Sequence, residues 1–245
     1  MIPKIAASDV PCLTTHQMIE VDRAMIEDYH IDLVRMMENA GRSLAELVRE
    51  CFLGGDPRGS RVIVLAGTGG NGGGALVAAR RLHNHGANVE VFSTRSDEHF
   101  MPVPGQQLDI ARRMGITVIS NPMFESVEAA DLVLDGVIGY SLSGAPRGAA
   151  GELINWAVAQ SSPIVSLDVP SGVDASTGTV HNPAISAAAT LTLALPKEGL
   201  LAAGAEAHVG ELYLADISVP PGLYTECLGI DVGPLFTDRD IVRLV

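Results

Sequence analysis

The chain has 245 residues, of which 47% are apolar and 26 are glycine, enough for one large α/β domain or two small ones. Its formal net charge of −13, without a long acidic run, disfavours binding to nucleic acid or to an anionic membrane surface. Three widely spaced cysteines argue against a disulfide framework, and no apolar run reaches the roughly 18 residues of a membrane span, so a cytoplasmic protein is expected.

The chain begins with residues 1–13, which are expected to form an unstructured lead. A helical lead of two amphipathic helices is predicted over about 14–53, with Thr14 or Thr15 as the first cap and Leu33–Cys51 as the second helix. From Arg61 onward, β-branched apolar runs alternate with helical patterns. The predicted strands are 61–66, 88–93, 116–119, 131–135, 163–168, 189–195 and 211–215. The predicted helices between them are 74–86, 104–114 and 150–160.

Strands that alternate with helices of this length predict βαβ units and a mostly parallel sheet covered on both faces. No proline-rich, serine-rich or charged linker divides the chain, so a single domain over residues 1–245 is expected. The last two strands, 189–195 and 211–215, are joined by a short segment, which leaves antiparallel edge pairing open. The sequence T-D-R-D at 237–240 predicts the cap of a brief terminal helix.

The stretch from Arg61 to Arg80 combines an apolar run, six glycines within eight residues and an apolar helical pattern. It predicts a buried strand, a tight turn and a helix N-terminus, where an anion is the expected guest. The spacing Gly67-x-Gly69-x-x-Gly72 matches a dinucleotide-binding fingerprint, and Glu90 lies near the position of a ribose-binding acid. The alternative is an ordinary tight turn.

Two carboxylates, Asp135 and Asp168, follow predicted strands. Ligands of doubly wound sheets bind at the carboxyl ends of strands, so the pair could supply a general acid or base and a cation ligand. Each could instead cap a following helix, and Ser171 could be a turn residue. Asn71, a polar residue among glycines, is either a turn former or a ligand.

Six motifs, taken together and in order, resemble one known family. They are L-T-T-H-Q-M near 13–18, M-M-E-N-A-G at 36–41, G-T-G-G-N-G-G-G-A at 67–75, D-L-V-L-D-G-V-I-G at 131–139, L-D-V-P-S-G-V-D-A-S-T-G at 167–178, and A-L-P-K-E-G-L-L with its trailing A-D-I-S-V-P. The set resembles the NAD(P)H-hydrate epimerases, or YjeF N-terminal domain family, from about Leu13 to Pro220.

The resemblance implies a Rossmann-like three-layer αβα sandwich with a mostly parallel central sheet. It implies epimerisation of the R and S forms of hydrated NADH and NADPH (NADHX and NADPHX), in partnership with a separate NAD(P)H-hydrate dehydratase. It also implies one bound K⁺, whose ligands here would be Asn71, Asp135 and Ser171 with backbone carbonyls. The implied substrate-binding residues are Gly70, Asn71, Gly72, Gly73, Gly74, Gly139, Tyr140, Ser141, Leu142, Ser143, Gly144, Ala145 and Asp168.

Within this scheme Asp135 is the predicted catalytic acid/base and Asp168 is expected to orient the substrate. Family members often pair through the helices before the first long strand, so a homodimer is expected. The methionines on one face of that region permit such an interface, although methionine at helical spacing is also typical of a core. These methionines are Met18, Met25, Met36 and Met37.

The glycine loop departs from the family pattern G-x-G-N-N-G-G-D-G. Gly70 replaces the first Asn, Gly74 replaces the Asp, and Ala75 replaces the last Gly. The alternative to an active isomerase is therefore a catalytically weakened or inactive nucleotide-binding or scaffold module of the same fold. An NAD-dependent oxidoreductase, based on the glycine fingerprint and Glu90, is the third reading.

Overall fold

The computed structural model describes residues 1–120, 122, 124 and 127–245. One sheet runs through the described chain and contains nine strands. They are β1 (Lys4–Ile5), β2 (Arg61–Ala66), β3 (Asn88–Ser93), β4 (Thr117–Ser120), β5 (Leu132–Gly136), β6 (Ile164–Leu167), β7 (Ala189–Leu193), β8 (Glu211–Ala215) and β9 (Ile241–Leu244). The helices are α1 (Thr15–Glu27), α2 (Leu33–Cys51), α3 (Gly70–Asn84), α4 (Pro102–Arg113), α5 (Gly148–Val158), α6 (Glu206–Val209) and α7 (Pro221–Leu228).

The strand order across the sheet is β1-β9-β8-β7-β6-β5-β2-β3-β4. Every neighbouring pair is parallel except β8 and β9, which are antiparallel. The chain moves outward from β2 to β3 and β4, and then returns to β5 on the other side of β2. The switch point of this doubly wound sheet therefore lies between β2 and β5, where a ligand crevice is expected.

The helices lie on both faces of the sheet, as the alternation of side chains along β2 shows. Val62 and Val64 belong to a core cluster with α2, α3 and α4, whereas Ile63 and Leu65 pack in a second cluster with α5. A third cluster joins α1 and α7 to the outer strands β8 and β9. This arrangement confirms the predicted α/β fold with a mostly parallel central sheet.

Helices α2 and α3 pack unusually close because of a glycine in the M-M-E-N-A-G motif. A Cβ added at Gly41 would lie 2.4 Å from the Cβ of Val77 and 2.5 Å from the carbonyl oxygen of Gly74. Only a residue without a side chain fits at such a contact. The motif thus brings α2 against the first turns of α3, beside the glycine loop.

Two expectations at the ends of the chain are wrong, and the pairing left open between strands 189–195 and 211–215 is parallel. The lead is not unstructured, since β1 pairs with β9 and Leu13 is fully buried, donating its backbone N–H to Pro196 O at 2.8 Å. Strands β7 and β8 are parallel, because the 17 residues between Leu193 and Glu211 suffice for a crossover that contains α6. T-D-R-D at 237–240 leads into strand β9 and caps no helix.

Candidate active site

The glycine loop forms the turn from β2 into α3 at the switch point. Gly67 N–H donates to the carbonyl oxygen of Gly136 on β5 at 3.0 Å, which ties the turn to the neighbouring strand. A Cβ at Gly72 would lie 1.9 Å from the carbonyl oxygen of Gly67, so no side chain fits there. Helix α3 begins at Gly70, so its first N–H groups and the positive end of its dipole lie just beyond the carboxyl end of β2.

Asp135 lies inside β5 and is fully buried. Its Oδ1 accepts hydrogen bonds from Ser171 Oγ (2.6 Å) and Val137 N–H (3.2 Å). Its Oδ2 accepts from Ser166 Oγ (2.8 Å) and Ser171 N–H (2.8 Å). Burial raises the pKa of Asp135, although the hydrogen bonds from Ser171, Ser166 and Val137 act in the opposite direction. The carboxylate is a fully bonded anchor for the loops around it.

Asp168 lies one residue beyond β6, in a left-handed backbone conformation with φ of 67°. Its side chain is nearly buried, and Oδ1 accepts a hydrogen bond from the ammonium of the fully buried Lys197 at 2.5 Å. Oδ2 accepts from Tyr140 N–H at 3.2 Å. An ideal Cβ at Gly139 would lie 3.0 Å from this Oδ2 and 3.2 Å from Cγ of Asn71. The second oxygen of Asp168 thus converges with the Asn71 amide on the glycine at position 139.

A cavity of about 170 Å³ opens beside this cluster. Its apolar wall comes from α1, α2 and the ends of β6 and β7, and its polar groups are Asn71, Asp168, Lys197, Asp22 and Tyr140. Tyr140 donates its hydroxyl to Asp22 Oδ2 at 2.5 Å. Burial raises the pKa of Asp22 and of Tyr140. An apolar pocket with a few convergent polar and charged groups is typical of a small-molecule site.

Asn71 offers an observation that bears on a cation. Both its amide nitrogen and its amide oxygen are buried and have no hydrogen-bond partner among the described residues. Among the residues that the structure describes, no group of three or more His, Cys, Asp or Glu side chains is placed to hold a metal ion. The oxygens of Asn71, Asp135 and Ser171 with backbone carbonyls are instead the hard donors that a K⁺ ion accepts. An orphaned buried amide oxygen that meets the Asp168 carboxylate at Gly139 fits such an ion.

The predicted site residues do not all meet at the cavity. Those that line it are Gly70, Asn71, Gly74, Gly139, Tyr140, Ser141 and Asp168. Those that do not line it are Gly72, Gly73, Leu142, Ser143, Gly144, Ala145, Asp135 and Ser171. Of this second group, Leu142 lines a neighbouring groove that shares Tyr140 and Ser141 with the cavity. The roles given to all these residues stay predictions.

The two glycines that replace family side chains have different surroundings. A Cβ at Gly70 meets nothing within 4 Å, so the position is open and a side chain is simply absent. A Cβ at Gly74 would lie 2.7 Å from Cδ2 of the fully buried Leu167. Here the glycine leaves room for Leu167, so the packing around the cavity has adapted to it.

The sequence interpretation missed Lys197 and Asp22. Lys197 stands in the quoted motif A-L-P-K-E-G-L-L, and a lysine four residues past the end of the buried strand β7 is the signal that could have identified it. Asp22 lies on α1 among the buried residues of that helix, which are Met18, Val21, Ala24 and Met25. A carboxylate on the buried face of a helix is a signal for a paired or functional group.

Three other residues are placed away from the cavity. Glu90, the predicted ribose-binding acid, lies inside β3 and pairs with Arg61 at 2.8 Å, so it does not reach the carboxyl end of the sheet. Glu38 pairs with Arg80 of α3, and Asn39 donates to Ser218 Oγ at 2.7 Å. Glu38 and Asn39 thus make contacts between elements of the fold and do not line the cavity. The oxidoreductase hypothesis loses Glu90 as its ribose-binding acid.

A doubly wound sheet with a glycine turn at its switch point defines a Rossmann-like α/β protein. The family model described as YjeF-related protein N-terminus matches residues 34–199. The NAD(P)H-hydrate epimerase of Dehalogenimonas lykanthroporepellens is 46% identical over 87% of this chain and 84% of its own length. The NAD(P)H-hydrate epimerase of Rhodopirellula baltica is 32% identical, and 86% of each chain is covered.

Two further comparisons concern chain length and fold. The bifunctional NAD(P)H-hydrate repair enzyme Nnr of Moorella thermoacetica is 34% identical over 86% of this chain, which spans 41% of that protein. The crystal structure of yeast ynu0 superposes with a TM-score of 0.80, covering 96% of this chain and 100% of its own at 24% identity, and it has the same fold. The chain belongs to the YjeF-related protein N-terminus family. No described helix is both long and apolar enough to cross a bilayer.

Proposed function

We infer that the chain is an NAD(P)H-hydrate epimerase, an isomerase that interconverts the R and S forms of NADHX and NADPHX in nicotinamide nucleotide repair. The relatives that carry this name cover most of the chain and are covered by it. The observation that carries the proposal is the Asp168–Lys197 pair in the wall of the cavity beside the glycine turn. This arrangement places a carboxylate that could transfer a proton, Asp168, next to a glycine turn that could bind an anion.

The reaction needs a group that moves a proton at C6 of the hydrated nicotinamide ring. In ring opening, a base takes the hydroxyl proton, the C6 carbonyl forms as the C6–N1 bond breaks, and N1 keeps the electron pair and takes up a proton. Closure on the other face of the carbonyl returns a proton from N1 to the oxygen. In dehydration, an acid protonates the hydroxyl, water leaves, and water adds to the other face. Both routes require a proton donor and acceptor at one place, with no redox partner.

The geometry favours Asp168 for this role and gives Asp135 another. One Asp168 oxygen is held by Lys197, while the other faces Gly139 and the Asn71 amide at the cavity wall. Each oxygen of Asp135 accepts two hydrogen bonds and Asp135 does not line the cavity, whereas the second oxygen of Asp168 accepts only the Tyr140 N–H at 3.2 Å. We therefore propose Asp168 as the acid/base group and Asp135 as the residue that positions Ser171, in place of the predicted assignment.

K⁺ is proposed at Asn71, Asp135 and Ser171. Support comes from the unpartnered Asn71 amide and from Ser171 Oγ, which lies 3.2 Å from Ile138 O as an alternative acceptor to Asp135. Turning the hydroxyl proton toward Ile138 O frees lone pairs on both the hydroxyl and the carboxylate. A bound K⁺ would supply positive charge that offsets the repulsion between the carboxylates and the substrate diphosphate.

The test is to follow purified protein acting on one NADHX epimer in K⁺ buffer, against the spontaneous rate. The parent protein is expected to accelerate equilibration, and Asp168→Asn to reduce kcat at least about 100-fold. The matched control is Asp238→Asn, an exposed carboxylate that does not line the cavity. No acceleration at high enzyme concentration would refute the proposal. A fully active Asp168→Asn would return the role to another group.

A nucleotide-binding module without chemistry is the second candidate, favoured by the glycines at positions 70 and 74. Retention of Asp168 and Lys197 at the cavity weighs against it. Calorimetry with NADP⁺ distinguishes the two when it is combined with the epimerase assay. Binding without turnover supports the module, whereas turnover excludes it.

Two partners remain proposals. A separate dehydratase that uses the S epimer is proposed because the Moorella thermoacetica relative is named a bifunctional repair enzyme and this chain spans only 41% of its length. A homodimer through the helical lead loses its sequence argument, since Met18, Met25, Met36 and Met37 are buried within the chain at 4% exposure or less. Ile19 and Ile26 on α1, exposed at 54% and 42%, are the remaining apolar candidates. Sedimentation of the parent and of Ile19→Lys tests the dimer.

A further inference from the structure

A second cavity, of about 430 Å³, lies between the loop after β3 and the first turn of α5. The loop contributes Thr94, Arg95, Ser96 and His99, and the other wall begins at Arg147. The residues that follow Arg147 at the start of α5 are glycine and alanine, which leave the space open. Nothing in the proposed chemistry at Asp168 uses this cavity.

The second cavity adjoins the glycine turn. Thr94 N–H donates to Ala66 O at 3.0 Å, and Met101 N–H donates to Thr68 O at 3.1 Å, so the β3 loop is bonded along the turn on one side. Gly70 and Asn71, on the other side of the turn, line the first cavity. A ligand that lies across the N-terminus of α3 can therefore reach both cavities.

The charge of the second cavity is unusual for this protein. The chain has 16 Lys and Arg residues and a net charge of −13. Within the described part of the chain, 12 of these form ion pairs, which leaves 16 − 12 = 4, namely Lys4, Arg49, Arg95 and Arg147. Two of the four line this single cavity, and no described lining residue is acidic.

The position of Arg95 just after β3 indicates which part of a nucleotide the second cavity would bind. In a doubly wound nucleotide-binding fold, the residues just after the second strand of the βαβ unit meet the adenosine ribose. An acidic residue there receives the free 2′-hydroxyl, whereas an arginine accommodates a 2′-phosphate. Here β2–α3–β3 is that unit, and Arg95 follows β3 by two residues, without a carboxylate in the lining.

We propose that this cavity binds the adenosine 2′-phosphate of the substrate, with Arg95 and Arg147 as its phosphate-binding residues, so that the chain prefers NADPHX to NADHX. The proposal rests on the proposed function and specifies its substrate. Guanidinium groups form paired hydrogen bonds with phosphate oxygens, and His99 and Ser96 offer further polar contacts on the same wall. The nicotinamide end then lies in the first cavity, at Asp168.

The test uses two probes that differ only in the phosphate, adenosine 2′,5′-bisphosphate and adenosine 5′-monophosphate. Calorimetry on the parent protein is expected to show about tenfold or tighter binding of the bisphosphate. Arg95→Ala and Arg147→Ala should each remove most of that difference. The matched control is Arg49→Ala on α2, which removes the same charge away from both cavities. Added salt should reduce the preference.

Kinetics then measures kcat/KM for NADPHX and NADHX. The ratio should favour NADPHX in the parent and in Arg49→Ala, and fall toward one in Arg95→Ala through KM. Equal binding of the two probes by the parent protein, or a preference unchanged in both arginine variants, would overturn the proposal even if epimerisation is normal. An arginine-dependent preference without any epimerase activity would instead support the phosphate site and refute the proposed function.

Discussion

Replacing Lys197 by methionine breaks the buried ion pair with Asp168 and measures how much the pair contributes to stability. Lys197 is 0% exposed, and its ammonium donates to Asp168 Oδ1 (2.5 Å), Leu193 O (2.8 Å) and Thr192 Oγ1 (3.3 Å). Methionine has a similar unbranched shape, so it leaves little cavity, but it leaves Asp168 with the Tyr140 N–H alone among its described partners. Removing one partner of a buried pair costs about 3–5 kcal/mol.

Urea unfolding at neutral pH measures this cost. The chain has one tryptophan, Trp156, which is 8% exposed and packs edge to face with Phe92 at 5.4 Å between ring centroids, so its fluorescence should report global unfolding. The midpoint is expected to fall while the m-value stays constant.

A double-mutant cycle with Asp168→Asn provides the control. Asparagine is the matched replacement, because it tolerates the left-handed backbone that Asp168 adopts. The double variant should recover about 1–3 kcal/mol relative to the sum of the single losses. A single loss below about 1 kcal/mol, or additive losses, would refute the argument that the pair is mutually dependent.

Gly41→Ala is expected to destabilise the fold by about 1–3 kcal/mol, because its Cβ would lie 2.4 Å from that of Val77. Gly70→Ala meets nothing within 4 Å and should leave the melting temperature equal or higher, so thermal unfolding of this pair checks the close packing. Tyr140→Phe removes the hydroxyl bonded to Asp22 and should cost about 1–3 kcal/mol, measured by the urea midpoint. Burial raises the pKa of Asp22 above its ordinary 3.8, so its contribution to stability is fully present below pH 3.8 and is lost as pH rises through the raised value. The stability of the parent relative to Asp22→Asn should follow that slope, and the opposite slope would contradict it.

The alternation of apolar runs and helices predicted most of the sheet, because buried parallel strands and their crossovers have strong local patterns. It failed at the chain ends, where the pattern is short. Strand β1 has two residues, and β9 is stabilised by pairing with the distant β8. The charged groups of the cavity were missed for a similar reason. Asp22 and Lys197 are 197 − 22 = 175 positions apart in the chain and meet only through tertiary packing.

The two aspartates show how finely the site depends on the end of a strand. Both follow apolar runs and look equivalent in the sequence. Asp135 lies within β5, where it is paired in register with Ser166 of β6, so its carboxylate is surrounded by the donors of the neighbouring strand and loop. Asp168 lies one residue past β6, and its φ of 67° directs it away from the sheet ladder to the cavity and Lys197. A shift of one residue relative to the strand end therefore separates a carboxylate that is enclosed by hydrogen-bond donors from one that lines the cavity.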